Sequence, residues 1–304
     1  MSPKHICSLV GPALVLVALV ATACTNASTT ASATPVPATA SPRGAVSSLS
    51  PSVAAVSGVI AIGHSGLTGE GTGDVYKAVP ENSYATGTSP AVDSVYLRLR
   101  ALRPDIAGAA SNHARGGAVA AELPGQARAA LHEVPHPALA IISTIDNDIQ
   151  CDGTDAARVP QLGSSVALAL DIITKASPQT KILIVGQLGR PSSRFIEAQV
   201  AADPSVKATL TGVGRCDFYT PNGKFAPAHV ETLTAIIQAY EDEETHRCAA
   251  VPQCTTDRGA RAAWVDRVDL FSGNTGHLNI AGQAAEAANI WPVVARMFGL
   301  PPSN

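Results

Sequence analysis

Residues 138–148 read Ala138-Leu139-Ala140-Ile141-Ile142-Ser143-Thr144-Ile145-Asp146-Asn147-Asp148. The uncharged, β-branched first part reads as a buried strand, and the polarity changes abruptly where it ends. Two other runs behave alike. Val56–Ile62 ends at Gly63, and Lys181–Val185 is stopped by Gly186. Helical spacing fills the stretches between and after them. Pro90–Leu102 carries Val92, Val95, Leu99 and Leu102 on one face, with Arg98, Arg100 and Arg103 on the other. Val166–Ala176 is expected to be helical and to end near Pro178, and His229–Glu244 places Val230, Leu233, Ile237 and Tyr240 together. Asn279–Phe298 forms the last helical region, with a break expected at Pro292. Alternating strands and helices with short connections predict a three-layer α/β/α sandwich around a central parallel sheet. No internal repeat is visible.

Composition limits the partners. The chain has 304 residues, 46% hydrophobic, 4% aromatic and 15% charged, with a net charge of −3. Phosphate binding needs a concentrated basic surface, and base stacking needs rings, so nucleic acid is not expected as a partner. The apolar fraction is far above that of a disordered chain.

The N-terminus reads as an address. Lys4 and His5 precede an uncharged run from Leu9 to Ala23, which is short for a membrane span and ends in small residues before Cys24. Residues 1–24 are therefore expected to be a signal peptide. The pattern resembles a bacterial lipoprotein signal, in which Cys24 is lipidated, although Ala21 stands where such signals usually carry Leu. Ordinary cleavage without an anchor gives the same export. Residues 25–55, rich in Ala, Ser, Thr and Pro, offer almost nothing to bury and read as an extended spacer. Residues 56–304 are left as one domain. The expected location is outside the cell, either free or anchored to the membrane by the lipid, and a monomer is expected.

Removing Cys7 and Cys24 leaves Cys151, Cys216, Cys248 and Cys254. Four cysteines in an exported domain suggest two disulfides, and three pairings are open. Cys248–Cys254, a short local loop, with Cys151–Cys216 closing a long one, is the preferred set. No C-x-x-C pair supports zinc.

In parallel sheets ligands collect at the carboxyl ends of strands. That directs attention to Gly63-His64-Ser65-Gly66, to Asp146-Asn147-Asp148 and to the loop Asn112–Ala118. Two motifs are set aside first. His132-Glu133-Val134-Pro135-His136 matches a zinc pattern, but Pro135 and Pro137 break the helix that the pattern requires. Gly66–Gly73 lacks the Lys of a phosphate loop and reads as a flexible loop.

Ser65 ends a strand inside a glycine-bounded turn, where a hydroxyl can project from the sheet edge. His277 precedes the last helix in Asn274-Thr275-Gly276-His277-Leu278-Asn279. A nucleophilic serine needs a base, and the base needs an orienting group, for which Asn274 is placed. Gly117 and Asn147 offer uncharged N–H donors for the oxygen on which negative charge develops.

With these blocks in order, the chain resembles the SGNH (GDSL-like) hydrolase family, and among its members the exported, actinobacterial-type lipoproteins. Ile60 to Ser65 matches the Gly-Asp-Ser block, Asn112 to Ala118 the glycine block, Ile145 to Asp148 the Gly-x-Asn-Asp block, and Asn274 to His277 the Asp-x-x-His block. The resemblance spans about residues 56–298. It implies a flavodoxin-like sandwich and hydrolysis of esters through an acyl-enzyme, with no metal or cofactor. Ser65 matches the nucleophile, His277 the general base, and Ser65, Gly117 and Asn147 the oxyanion donors. Small-molecule, lipid and glycan esters are all implied as substrates.

Three departures stand out. His64 replaces the usual Asp beside the nucleophile, which implies altered geometry rather than lost chemistry. Asp146 stands where glycine is frequent. Asn274 replaces the Asp that orients the base, and a comparable change in a serine protease costs about 10⁴ in turnover. The Asn oxygen or a backbone carbonyl could still orient the ring, and Asp269 is another carboxylate within reach in sequence. The alternative function is therefore a catalytically degenerate surface lipoprotein that binds an acyl or glycan ligand in the same cleft.

Overall fold

The structure is a computed structural model and describes residues 55–73, 77–106, 108–264, 267–273 and 276–302. The expected signal, Cys24, all but the last residue of the expected spacer, and Asn274 lie outside the described residues.

The three apolar runs form strands β1 (Val59–Gly63), β3 (Leu139–Ser143) and β4 (Lys181–Ile184). Two very short strands complete the sheet, β2 (Ala110–Asn112) and β5 (Cys254–Thr256). All pairings are parallel, in the order β2-β1-β3-β4-β5. Ile60 lies beside Ala140, and Gly63 beside Ser143.

Among the described residues there are seven α-helices: α1 (Val95–Leu102), α2 (Leu123–Glu133), α3 (Asp155–Ala176), α4 (Ser193–Ala202), α5 (Val206–Thr209), α6 (Pro227–Ala249) and α7 (Ile280–Phe298). Alternate strand residues divide into two cores. Val59, Ala61, Leu139, Ile141 and Leu183 pack with α1 and α7, where Trp291 is the largest buried side chain. Ile60, Ile62, Ala140, Ile142, Ile182 and Ile184 pack with α2, α3 and α6. Burial on both faces explains why these strands read as continuous apolar runs. This is the α/β/α architecture expected from the sequence.

Local chemistry sets the helix ends. Ser94 caps α1 by accepting the Leu97 N–H at 3.2 Å, and Ser192 caps α4 by accepting that of Phe195 at 3.2 Å. Asn279 caps α7, its Oδ1 accepting the Gly282 N–H at 2.9 Å. Two helices differ from expectation. α3 begins eleven residues earlier than expected, and its Pro160 is exposed, so water can serve the carbonyl that the proline leaves without a partner. α7 runs unbroken through Pro292. There the burial of Ile290, Trp291, Val293 and Val294 outweighs the about 3 kcal/mol that an interior proline costs.

From β1 the chain passes outward to β2 and then returns to the far side of β1 as β3. The direction of winding thus switches between β1 and β3, and a crevice opens at their carboxyl ends.

Candidate active site

Ser65 stands just past β1, after His64, and His277 stands two residues before Asn279, the cap of α7. Ser65 Oγ lies 2.8 Å from His277 Nε2, although the two residues are 212 positions apart. Both ends of this contact are fixed by the local backbone.

At the serine end, Gly63 has a φ of 138°, and a Cβ there would sit 1.8 Å from the Ser143 carbonyl oxygen, so no other residue fits. The side-chain amide of Gln126 on α2 clasps the same residue from both sides. Gly63 N–H donates to Gln126 Oε1 at 2.6 Å, and Gln126 Nε2 donates to the Gly63 carbonyl at 3.0 Å. His64 then opens a single 3₁₀ turn, Ser65–Leu67, and its Nδ1 accepts the Gly66 N–H at 3.1 Å. That places the imidazole proton on Nε2, which lies 3.1 Å from Asp146 Oδ2 and 3.3 Å from Ser143 Oγ. Burial holds the His64 pKa below its ordinary value, against the pull of Asp146. His64 is thus a neutral brace that shapes the nucleophile turn and ties it to the loop after β3.

At the histidine end, the His277 carbonyl accepts the Ser272 N–H at 2.8 Å and the Ser272 hydroxyl at 3.1 Å. Phe271 and Leu278 form an antiparallel bridge alongside. Gly71 packs against this segment with a φ of 92°, its position 2.7 Å from His277 Cβ for any added Cβ. The loop Gly66–Gly73, expected to be flexible, therefore serves as a saddle for the histidine.

Glu70 in that saddle was not singled out from the sequence. Its Oε1 lies 3.7 Å from His277 Nε2, and its side chain is only 12% exposed. A lone acidic residue between two glycines, just past the nucleophile strand, was the available signal. Asp269, the carboxylate within reach in sequence, instead pairs with Arg267 at the surface, its Oδ1 3.0 Å from Arg267 Nε.

Asn147 lines the crevice, and one of its amide N–H groups donates to the Ala118 carbonyl at 3.0 Å. Gly117, one residue earlier, has a φ of 74°, is exposed, and stands outside the residues that line the cavity. Asp148 accepts the Ala120 N–H at 3.0 Å and the Thr144 hydroxyl at 3.0 Å, which holds the glycine loop and the loop after β3 together. Ile145, which opens the third block, adopts a φ of 94° while fully buried. A β-branched residue there is strained, and that strain sits immediately before Asp146 and Asn147.

The cavity beside Ser65 and His277 measures about 610 Å³. Its far wall is apolar, formed by Phe195, Ile196, Leu210, Phe218, Ile237 and Phe271. Four of these come from the segment between β4 and α6, which the Cys151–Cys216 disulfide ties to the loop after β3. The second disulfide is Cys248–Cys254, so the preferred pairing is the one present.

Below the site lies a buried ion pair. Arg261 Nε is 2.7 Å from Glu286 Oε1, and its Nη1 donates to the Gly186 carbonyl at 2.6 Å and to Ser143 Oγ at 3.2 Å. Burial pushes the Glu286 carboxyl up, with Arg261 opposing. At the opposite end of the sheet, α2 stops at Glu133, so His132 and His136 do not share a helix. Glu133 accepts the Ser111 hydroxyl at 2.6 Å and lies 3.2 Å from His113.

No known sequence family and no curated protein matches this chain. Solved structures similar to it include TesA, at 14% identity over 79% of this chain and 99% of that one, with a TM-score of 0.48. An extracellular lipase from Streptomyces rimosus gives 17% identity over 75% and 95%, with a TM-score of 0.46. A GDSL-like lipase from Parabacteroides merdae gives 11% over 82% and 98%, with a TM-score of 0.49. Likeness at this level assigns neither an activity nor a substrate. No described helix is long and apolar enough to cross a membrane.

Proposed function

We propose that this chain is an exported ester hydrolase of the SGNH type, with Ser65 as nucleophile and His277 as general base. The observation that carries the reading is the 2.8 Å contact between Ser65 Oγ and His277 Nε2 at the mouth of an apolar cavity. In this mechanism Nε2 takes the hydroxyl proton as Oγ bonds to the ester carbonyl carbon. The carbonyl oxygen becomes an oxyanion, met by N–H donors from Ser65 and Asn147, which line the cavity as Gly117 does not. The oxyanion then re-forms the carbonyl as the ester C–O bond breaks, and the imidazolium gives its proton to the departing alkoxide, so that an alcohol leaves and the acyl group stays on Ser65 Oγ. Water, deprotonated by the same nitrogen, then releases the acid and restores Ser65. The apolar wall suits an acyl chain, and the two disulfides suit an oxidising compartment.

A fluorophosphonate probe tests this directly. The wild type is expected to be labelled and to hydrolyse p-nitrophenyl esters, whereas Ser65→Ala loses both. Unlabelled, folded wild type refutes the reading. Asn274, standing in the motif where a carboxylate is usual, favours the second reading of a ligand-binding protein without turnover. Ligand affinity that survives Ser65→Ala, with no ester cleavage by the wild type, decides for it.

A further inference from the structure

We infer that Glu70 supplies the carboxylate charge of this site, acting on His277 Nε2 at the moment that nitrogen takes up the Ser65 proton. The inference rests on the hydrolase reading above and adds a catalytic residue to it.

The placement is specific. Glu70 Oε1 is 3.7 Å from Nε2, the same nitrogen that holds the Ser65 hydroxyl at 2.8 Å. Glu70 is therefore beside the proton in flight rather than behind the ring at Nδ1. In the resting state Nε2 accepts the Ser65 proton's hydrogen bond and has nothing to give Glu70. Once the proton has moved, the imidazolium N–H bears positive charge within reach of a carboxylate in a mostly buried pocket, where an opposite charge acts most strongly. The stabilisation thus belongs to the charged state formed during the reaction and not to the resting site, which is what accelerates a chemical step.

The surroundings hold Glu70 in that place. Its N–H donates to Thr68 Oγ1 at 3.3 Å, and Thr68 itself donates to the Ser65 carbonyl through its hydroxyl at 2.8 Å. The nucleophile and the carboxylate are thereby joined through one side chain. Gly116 leaves room for the other carboxylate oxygen, since a Cβ there would stand 3.1 Å from Glu70 Oε2. Among the described residues, Asp146 faces His64, Asp148 holds Ala120 and Thr144, and Asp269 pairs with Arg267.

The test compares Glu70→Gln, Glu70→Asp and Ser65→Ala in the full chain, with p-nitrophenyl butyrate as substrate. Glu70→Gln is expected to lower kcat by about 10²-fold with KM nearly unchanged, the size seen for loss of one transition-state electrostatic group. Glu70→Asp, which keeps the charge, recovers part of that loss. An unchanged kcat in Glu70→Gln, while Ser65→Ala is dead, overturns the inference and leaves the hydrolase reading intact. A rise in KM alone also overturns it, because Glu70 is then only a substrate contact. Should the wild type turn over no ester, the rate of fluorophosphonate labelling decides: a Glu70→Gln protein labelled as fast as wild type refutes the assignment.

Discussion

A methyl group added at Gly71 probes how the saddle controls the catalytic pair. The new Cβ would lie 2.7 Å from His277 Cβ and 3.0 Å from both the Leu278 carbonyl oxygen and Ser272 Oγ. Carbon atoms in contact prefer about 3.5–4.0 Å, so the overlap with His277 is about 1 Å. Neither side yields easily. The His277 segment is tied down by its two hydrogen bonds from Ser272 and by the Asn279 cap, and the Gly71 turn is closed by the Thr72 hydroxyl on the Gly69 carbonyl at 2.7 Å. The φ of 92° adds strain of about 1–3 kcal/mol for any residue with a side chain. Gly71→Ala is therefore expected to displace the imidazole and lengthen its 2.8 Å contact with Ser65 beyond hydrogen-bond range. A misplacement of about 1 Å costs about 10²-fold in rate, and the strain lowers Tm by about 2–4 °C for each kcal/mol. Steady-state hydrolysis of a p-nitrophenyl ester and a thermal melt measure both. A Gly71→Ala protein with kcat within about twofold of wild type would falsify this account of the saddle, because the overlap with His277 would then have no mechanical consequence.

Two predictions concern stability. Glu244 on α6 is buried, and burial, followed by the nearby Glu241, pushes its carboxyl well above the ordinary value of 4.5. The folded state thus keeps a proton that the unfolded chain has lost, so this group's contribution is greatest below about pH 4.5 and declines as pH rises toward the folded value. Glu244→Gln removes that decline, and its advantage over wild type in urea unfolding is expected to grow as pH rises above about 4.5, at up to about 1.4 kcal/mol per unit. A pH-independent difference contradicts the assignment. Replacing Cys151 and Cys216 by Ser opens a link with a sequence separation of 65, which chain entropy values at about 4 kcal/mol. It also frees the cavity wall around Phe218, so KM for long acyl esters is expected to rise more than KM for acetyl esters. Equal changes for both would detach the disulfide from the pocket.

Local sequence carried much of this molecule. β1, β3 and β4 were legible because each is buried on both faces, and the turn at Ser65 and the entry to α7 at His277 were legible because element ends have their own chemistry. The disulfide set was preferred on the expectation of export and on the closeness of Cys248 to Cys254, and it is the one present. β2 and β5 were not legible. Ala110-Ser111-Asn112 and Cys254-Thr255-Thr256 have no apolar pattern of their own, and they are strands only because β1 and β4 offer them a parallel edge. Pro292 misled for the opposite reason, since a proline is a local penalty that dense packing can absorb.

The deeper omission was Glu70. Nothing in Gly69-Glu70-Gly71 marks it as the neighbour of a histidine more than two hundred positions later. The Arg261–Glu286 pair beneath the site was hidden in the same way. Periodicity and end signals report how one segment meets solvent and its immediate neighbours. Which charges face each other depends on where the crossovers return the chain to the sheet, and that is set by the packing of every layer at once.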